Sequence, residues 1–100
     1  MALTERQYQR KLIDKLERMF PGCLIIKNPP ADRQGIPDLT ILYFERWAML
    51  EVKLDDNSPI QPNQEYYVEK ARGMSFAAFV NPNNEEEVLY ELQLALGSGR

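Results

Sequence analysis

Two apolar runs separated by two residues constrain this chain more than any other feature of it. Asp38 to Phe44 reads as a buried strand. Trp47 to Lys53 alternates, with Ala48, Leu50 and Val52 on one side and Met49, Glu51 and Lys53 on the other. Glu45-Arg46 between them reads as a tight turn. So short a connector suggests an antiparallel pair. Glu51 and Lys53 then share a face, and the pairing lets Asp38, at the start of one strand, meet Glu51, late in the next.

The remaining elements build around this pair. Tyr8, Leu12, Leu16 and Met19 recur at helical spacing and predict a helix over Glu5 to Met19. Thr4 and Gln7 form a capping box at its start, with Leu3 and Tyr8 placed as a hydrophobic staple, and Pro21-Gly22 stops it. Cys23 to Lys27, with two isoleucines, reads as a strand, and Asn28 to Gly35 as a loop of turn formers. Leu54 to Gln61 is polar. A second helix follows, starting either at a Ser58–Gln61 capping box or, preferred, at Pro62 with Gln61 as cap, and running to about Arg72 with Gly73 ending it. Ser75 to Val80 is a strand. A last helix spans Glu85 to Leu96, with Asn84 and Glu87 as a further capping box and Gly97 as its end. The order is αβββαβα in one domain of 100 residues. Three consecutive strands suggest an antiparallel meander, and a fourth reached through a helix can join in parallel by a right-handed crossover. The expected fold class is α/β, a mixed sheet flanked by helices.

What the chain lacks narrows its chemistry. It has no histidine and one cysteine. A Cys/His zinc site, an intrachain disulfide, a Ser-His-Asp triad and any histidine general base are all impossible. Hydrolysis by such a chain must use carboxylates, lysine and a hard metal ion. No run of about 18 apolar residues and no basic-then-apolar leader is present, so a soluble, intracellular protein with no membrane partner is expected. The net charge of −3 is unevenly spread. Residues 1–53 hold nine Lys/Arg against seven Asp/Glu, and residues 54–100 hold three against eight. A local basic face can bind phosphate despite an acidic total, although a solvated charged helix would look the same.

The residues that carry chemistry are Gly35-Ile36-Pro37-Asp38-Leu39 and Glu51-Val52-Lys53. Phosphodiester hydrolysis without histidine needs oxygen ligands for Mg²⁺, an activated water and charge compensation at the phosphate. Asp38 and Glu51 supply carboxylates, the Val52 carbonyl is a third candidate ligand, and Lys53 projects on the Glu51 face. Neither half is specific alone, since Glu-x-Lys is common on surface strands and Pro-Asp in turns. Their placement at the start of one strand and the end of the next is far more specific.

With these motifs the chain resembles the PD-(D/E)xK nuclease superfamily, and within it the VRR-NUC family, in its stand-alone, phage-type form. The resemblance covers nearly the whole chain and implies a restriction-endonuclease-like fold. Gln64, with Gln61 as the alternative, matches a family glutamine at the start of a helix, and Glu5 matches a family acid near the metal site. The implied activity is Mg²⁺- or Mn²⁺-dependent DNA cleavage, with Asp38, Glu51, Lys53 and Gln64 catalytic and Asp38, Glu51, Val52 and Glu5 at the metal. The stand-alone members resemble Holliday junction resolvases, acting on branched DNA such as four-way junctions as homodimers. The implied setting is the cytoplasm, that of the host cell for a phage-encoded chain. Arg6, Arg10, Lys11, Arg33 and Gln34 are candidate DNA contacts, with Lys15 beside them on the first helix. The helix residues Tyr66, Tyr67, Val68 and Ala71 are the candidate dimer face. Two alternatives stay open: a non-catalytic nucleic-acid-binding or assembly module on the same fold, and a nuclease acting on RNA or linear single strands.

Overall fold

The structure is a computed structural model that describes residues 3–29 and 34–97. Its elements follow the order α1 (Glu5–Met19), β1 (Leu24–Lys27), β2 (Leu39–Tyr43), β3 (Arg46–Val52), α2 (Pro62–Met74), β4 (Phe76–Val80) and α3 (Glu85–Leu96). The strands form one sheet in the order β1-β2-β3-β4. β1–β2 and β2–β3 are antiparallel, and β3–β4 is parallel. The expected α/β class, a mixed sheet flanked by helices, is therefore what the chain forms.

Strand alternation divides the helices between the two faces. Leu39, Ile41, Tyr43, Ala48, Leu50, Val52, Ala78 and Val80 point to one side and pack with Tyr8, Leu12 and Leu16 of α1 and Val88, Leu89, Leu92 and Leu96 of α3. On the other side Ala77 packs with Val68 and Ala71 of α2, flanked by Trp47, Met49 and Phe79. The faces have unequal cover. α2 lies over β3 and β4, while Leu24, Ile26 and Leu42, on the same face of β1 and β2, remain exposed. β2 is thus half-buried in alternation and not buried throughout, as its unbroken apolar sequence suggested.

Helix starts follow their signals. Thr4 accepts from the Gln7 N–H and Gln7 returns the bond to the Thr4 N–H. α2 starts at Pro62, with Gln61 and Gln64 forming its capping box, and Pro62 occupies a position that needs no N–H donor.

Three local expectations need correction. Gly73 does not end α2: the helix continues to Met74, and the Ser75 N–H still reaches the Ala71 carbonyl. Glycine permits a left-handed stop without imposing one. Asn84 does not form a capping box with Glu87. Its side chain turns back instead, accepting from the Asn81 N–H and donating to the Phe79 carbonyl. The β2–β3 turn is Phe44-Glu45, because Arg46 already pairs with Tyr43. Phe44 takes the left-handed backbone angle there (φ 57°), and its ring stays exposed against Tyr43.

Candidate active site

The hairpin register decides which groups meet. Leu39 pairs with Leu50, so Asp38, one residue earlier, lies beside the end of β3. There the Val52 N–H donates to Asp38 Oδ2 at 2.9 Å. The Lys53 N–H turns the other way, to the Val80 carbonyl of β4 at 2.8 Å. All peptides described are trans, and in a trans peptide the C=O opposes the following N–H. The Val52 carbonyl therefore points toward the Asp38 side.

Glu51 and Lys53 share the face of β3 on which α2 begins, opposite Leu50 and Val52. Gln64 joins them. Its Nε2 donates to Glu51 Oε2 at 3.0 Å, and its Oε1 accepts from Lys53 Nζ at 2.7 Å and from the Gln61 N–H at 3.0 Å. Lys53 Nζ also donates to the Pro59 carbonyl at 2.9 Å and lies 3.8 Å from Glu51 Oε2. Lys53 is 8% exposed and Glu51 3%. Pro59 and Gln64 close over the Lys53 ammonium.

Glu51 is electrostatically frustrated. Oε1 is buried and has no hydrogen-bond partner among the described residues. Burial and then the Asp38 charge push its carboxyl up to about 8, against the opposing pull of Lys53. Glu5 adds a smaller push from α1. Among the described residues, no three Asp, Glu, Cys or His side chains converge as a metal-holding group. Glu5 thus acts on the pair through its charge.

The walls of the cleft come from two segments pressed together. A cavity of about 530 Å³ is lined by Asp38, Glu51 and Gln64, by Gln34, Gly35 and Ile36 of the loop, and by the first turn of α2. Gly35 has φ 96°, and a Cβ there would stand 2.5 Å from Asn63 Cβ. The close approach and the backbone angle each require glycine. Pro37 is buried beneath the loop.

Sequence reasoning missed two groups. Asn28 Nδ2 donates to the Pro37 carbonyl at 2.9 Å and to Thr40 Oγ1 at 2.8 Å, while its N–H donates to the Asp38 carbonyl. It thereby fixes the backbone on both sides of Asp38. The only signal was its place directly after β1, which extends the Lys27–Leu39 register by one pair. The Pro59 carbonyl, a backbone acceptor, had no signal at all.

The candidate DNA contacts separate. Gln34 lines the cleft, and Arg6 and Arg10 are exposed on α1. Lys11 lies in a different groove, with Arg18 and Pro82. Lys15 is engaged by Glu85 at 2.7 Å, and the same carboxylate accepts from the Tyr8 hydroxyl. Burial first, then Glu85, raises the Tyr8 hydroxyl, so this contact locks α1 to α3. Arg33 lies outside the described residues. The candidate dimer face on α2 also divides: Val68 and Ala71 are buried against the sheet, and only Tyr66 and Tyr67 reach the surface. No helix among the described residues is long and apolar enough to cross a membrane. Comparison with family models, curated proteins and solved structures gives no match.

Proposed function

We propose that this chain is a metal-dependent DNA endonuclease of the VRR-NUC type, built on Asp38, Glu51, Lys53 and Gln64. The observation that carries this reading is the buried Glu51 Oε1, which has no donor among the described residues and sits beside a second carboxylate. An unsatisfied buried acceptor is costly, and such exceptions concentrate where an ion or substrate belongs. The donor set is hard oxygen throughout: two carboxylates and the Val52 carbonyl. That chemistry fits Mg²⁺ or Mn²⁺, both of which favour such ligands and keep several waters. When bound, the ion would polarise the phosphate and lower the pKa of a coordinated water.

The protein's own groups do the positioning. Lys53 has three N–H donors, and Pro59 and Gln64 hold two of them. The third serves the negative charge that grows on the attacked phosphate. Gln64 spaces Lys53 from Glu51, so that the two do not collapse into a simple ion pair. Glu51 must be ionised to hold the ion, and its raised pKa makes that state dependent on pH or on the ion itself. Glu5 adds the field of a further negative charge at Glu51. Gln34 lines the cleft, and Arg6 and Arg10 are exposed on the helix that carries Glu5; these three are proposed to hold the DNA backbone.

The proposed substrate is branched DNA, a four-way junction above all, cut by a homodimer that presents two sites to opposing strands. The deciding experiment is cleavage of a junction, a flap, linear duplex and single strand in Mg²⁺ and in Mn²⁺. Lys53→Met, which keeps the buried volume, is assayed in parallel. Metal-dependent cutting that falls at least about a hundredfold in the variant supports the reading, the loss found when one transition-state donor is removed. Equal cutting of every form keeps the nuclease and removes the selectivity. The rival, a non-catalytic binding module, has in its favour that among the described residues no three acidic side chains converge as a metal-holding group. Metal binding by a folded chain that cuts none of the four substrates would establish it.

A further inference from the structure

The furrow between α2 and the 34–38 loop does not end at the acids. Along β3 the residues on this face run Glu51, Met49, Trp47, and along α2 they run Gln64, Tyr67, Ala71, Met74. The lining changes from polar to apolar within two strand residues, a distance of about 7 Å. At the apolar end is a pocket of about 190 Å³, lined by Ile36, Pro37, Trp47, Met49 and Tyr67, with Lys70 at its edge. Ile36 borders both the pocket and the acidic cleft. The volume is that of about six waters. It admits one flat heterocycle and is too small for a base pair.

We propose that this pocket takes a single unstacked nucleobase, from the nucleotide next to the phosphodiester bound at Asp38, Glu51 and Lys53. The inference rests on the nuclease reading above and adds how the substrate is selected. Trp47 and Tyr67 offer π-faces, which stack on any base. Lys70 is exposed and supplies a cation for the phosphate of the same nucleotide. In a regular duplex both faces of a base are covered by its stacked neighbours, so neither is open to Trp47 and Tyr67. An unpaired nucleotide at a branch point has the needed reach and a free face. Selectivity for branched or unpaired DNA then arises within one protomer, from the cost of unstacking.

Trp47 is the only tryptophan in the chain, so its emission reports directly on the pocket. The whole protein in Ca²⁺ is titrated with a short oligothymidylate and with an abasic strand of equal length. Trp47 emission and the anisotropy of an end-labelled strand are followed together. The base-bearing strand should quench Trp47 and bind at least about tenfold more tightly, the range of one aromatic–base stack. Tyr67→Ala should reduce that advantage below about threefold while leaving abasic binding unchanged. Equal binding of both strands with unaltered Trp47 emission would overturn the base pocket and leave the nuclease standing. Binding of neither strand, together with no cleavage of any substrate, would overturn the nuclease reading itself. Trp47 emission that changes with protein concentration in the absence of DNA would assign the pocket to a second copy of the chain and also overturn the proposal.

Discussion

Glu51 concentrates the cost of this cleft in one side chain. It is 3% exposed, its Oε1 has no donor among the described residues, and Asp38 is close by. Its carboxyl sits at about 8, against 4.5 unperturbed. Without metal, folding therefore takes up a proton at Glu51 between these pH values. That stabilisation is complete below pH 4.5 and is lost as pH rises toward 8, at up to about 1.4 kcal/mol per pH unit. Metal-free protein should melt at progressively lower temperature from about pH 5 to pH 8 and then level off. Glu51→Gln, uncharged at every pH, should flatten this dependence and melt higher than the parent at pH 8. A parallel decline in both proteins would mean that another group is titrating. Asp38→Asn provides a second test, because asparagine keeps an acceptor for the Val52 N–H while removing the charge that opposes ionisation of Glu51. It should weaken metal binding and melt no lower than the parent without metal; a fall of several degrees would show that Asp38 is structural.

At the scale of elements, two glycines with opposite surroundings give opposite predictions. Gly73 lies inside α2, has an ordinary backbone angle, and a Cβ added there would meet nothing within 4 Å. Gly73→Ala should stabilise the protein by about 0.5–1 kcal/mol, since alanine restricts the unfolded chain and favours helix. Gly35→Ala would collide with Asn63 and strain a left-handed backbone, so a loss of about 1–3 kcal/mol is expected. Chemical denaturation of the two variants measures both. The same pair explains what could be read from the sequence. Gly73 looks like a helix stop by identity, but the stop depends on whether Ser75 can still reach Ala71, and that is settled by where the chain must enter β4. The strands, the α1 capping box and the Asp38–Glu51–Lys53 constellation were legible because each rests on periodicity or on short-range spacing. Asn28, the Pro59 carbonyl and the burial of Lys53 were not, because each depends on how segments far apart in sequence close over one another. The backward turn of Asn84 onto Asn81 and Phe79 is a local competition among asparagine acceptors that a capping pattern does not resolve.

For the molecule as a whole, charge poses the main difficulty for the proposed activity. The chain carries −3, and the cleft holds Asp38 and Glu51 beside one buried lysine, with the Glu5 charge near enough to act on Glu51. Of the α1 cations, Lys11 belongs to another groove and Lys15 is engaged by Glu85. A DNA backbone approaching the cleft of the metal-free protein therefore meets net negative charge. A bound dication reverses this locally, and the interior of a cleft strengthens the effect relative to bulk water. DNA affinity should accordingly depend on metal before any bond is cut. Ca²⁺ suits the measurement, since it should bind the carboxylates while its looser coordination supports little cleavage. In anisotropy titrations of a labelled junction, affinity should rise at least about tenfold on replacing chelator with Ca²⁺, a change of about 1.4 kcal/mol. Raising the salt should weaken the Ca²⁺ complex only moderately, because few lysines and arginines are placed to displace counterions. Glu51→Gln should abolish most of the Ca²⁺ effect, as it removes one of the two carboxylates. Tight binding in chelator with a steep salt dependence would instead place the contact surface on the basic residues of α1, and the acidic cleft would then have no part in holding DNA.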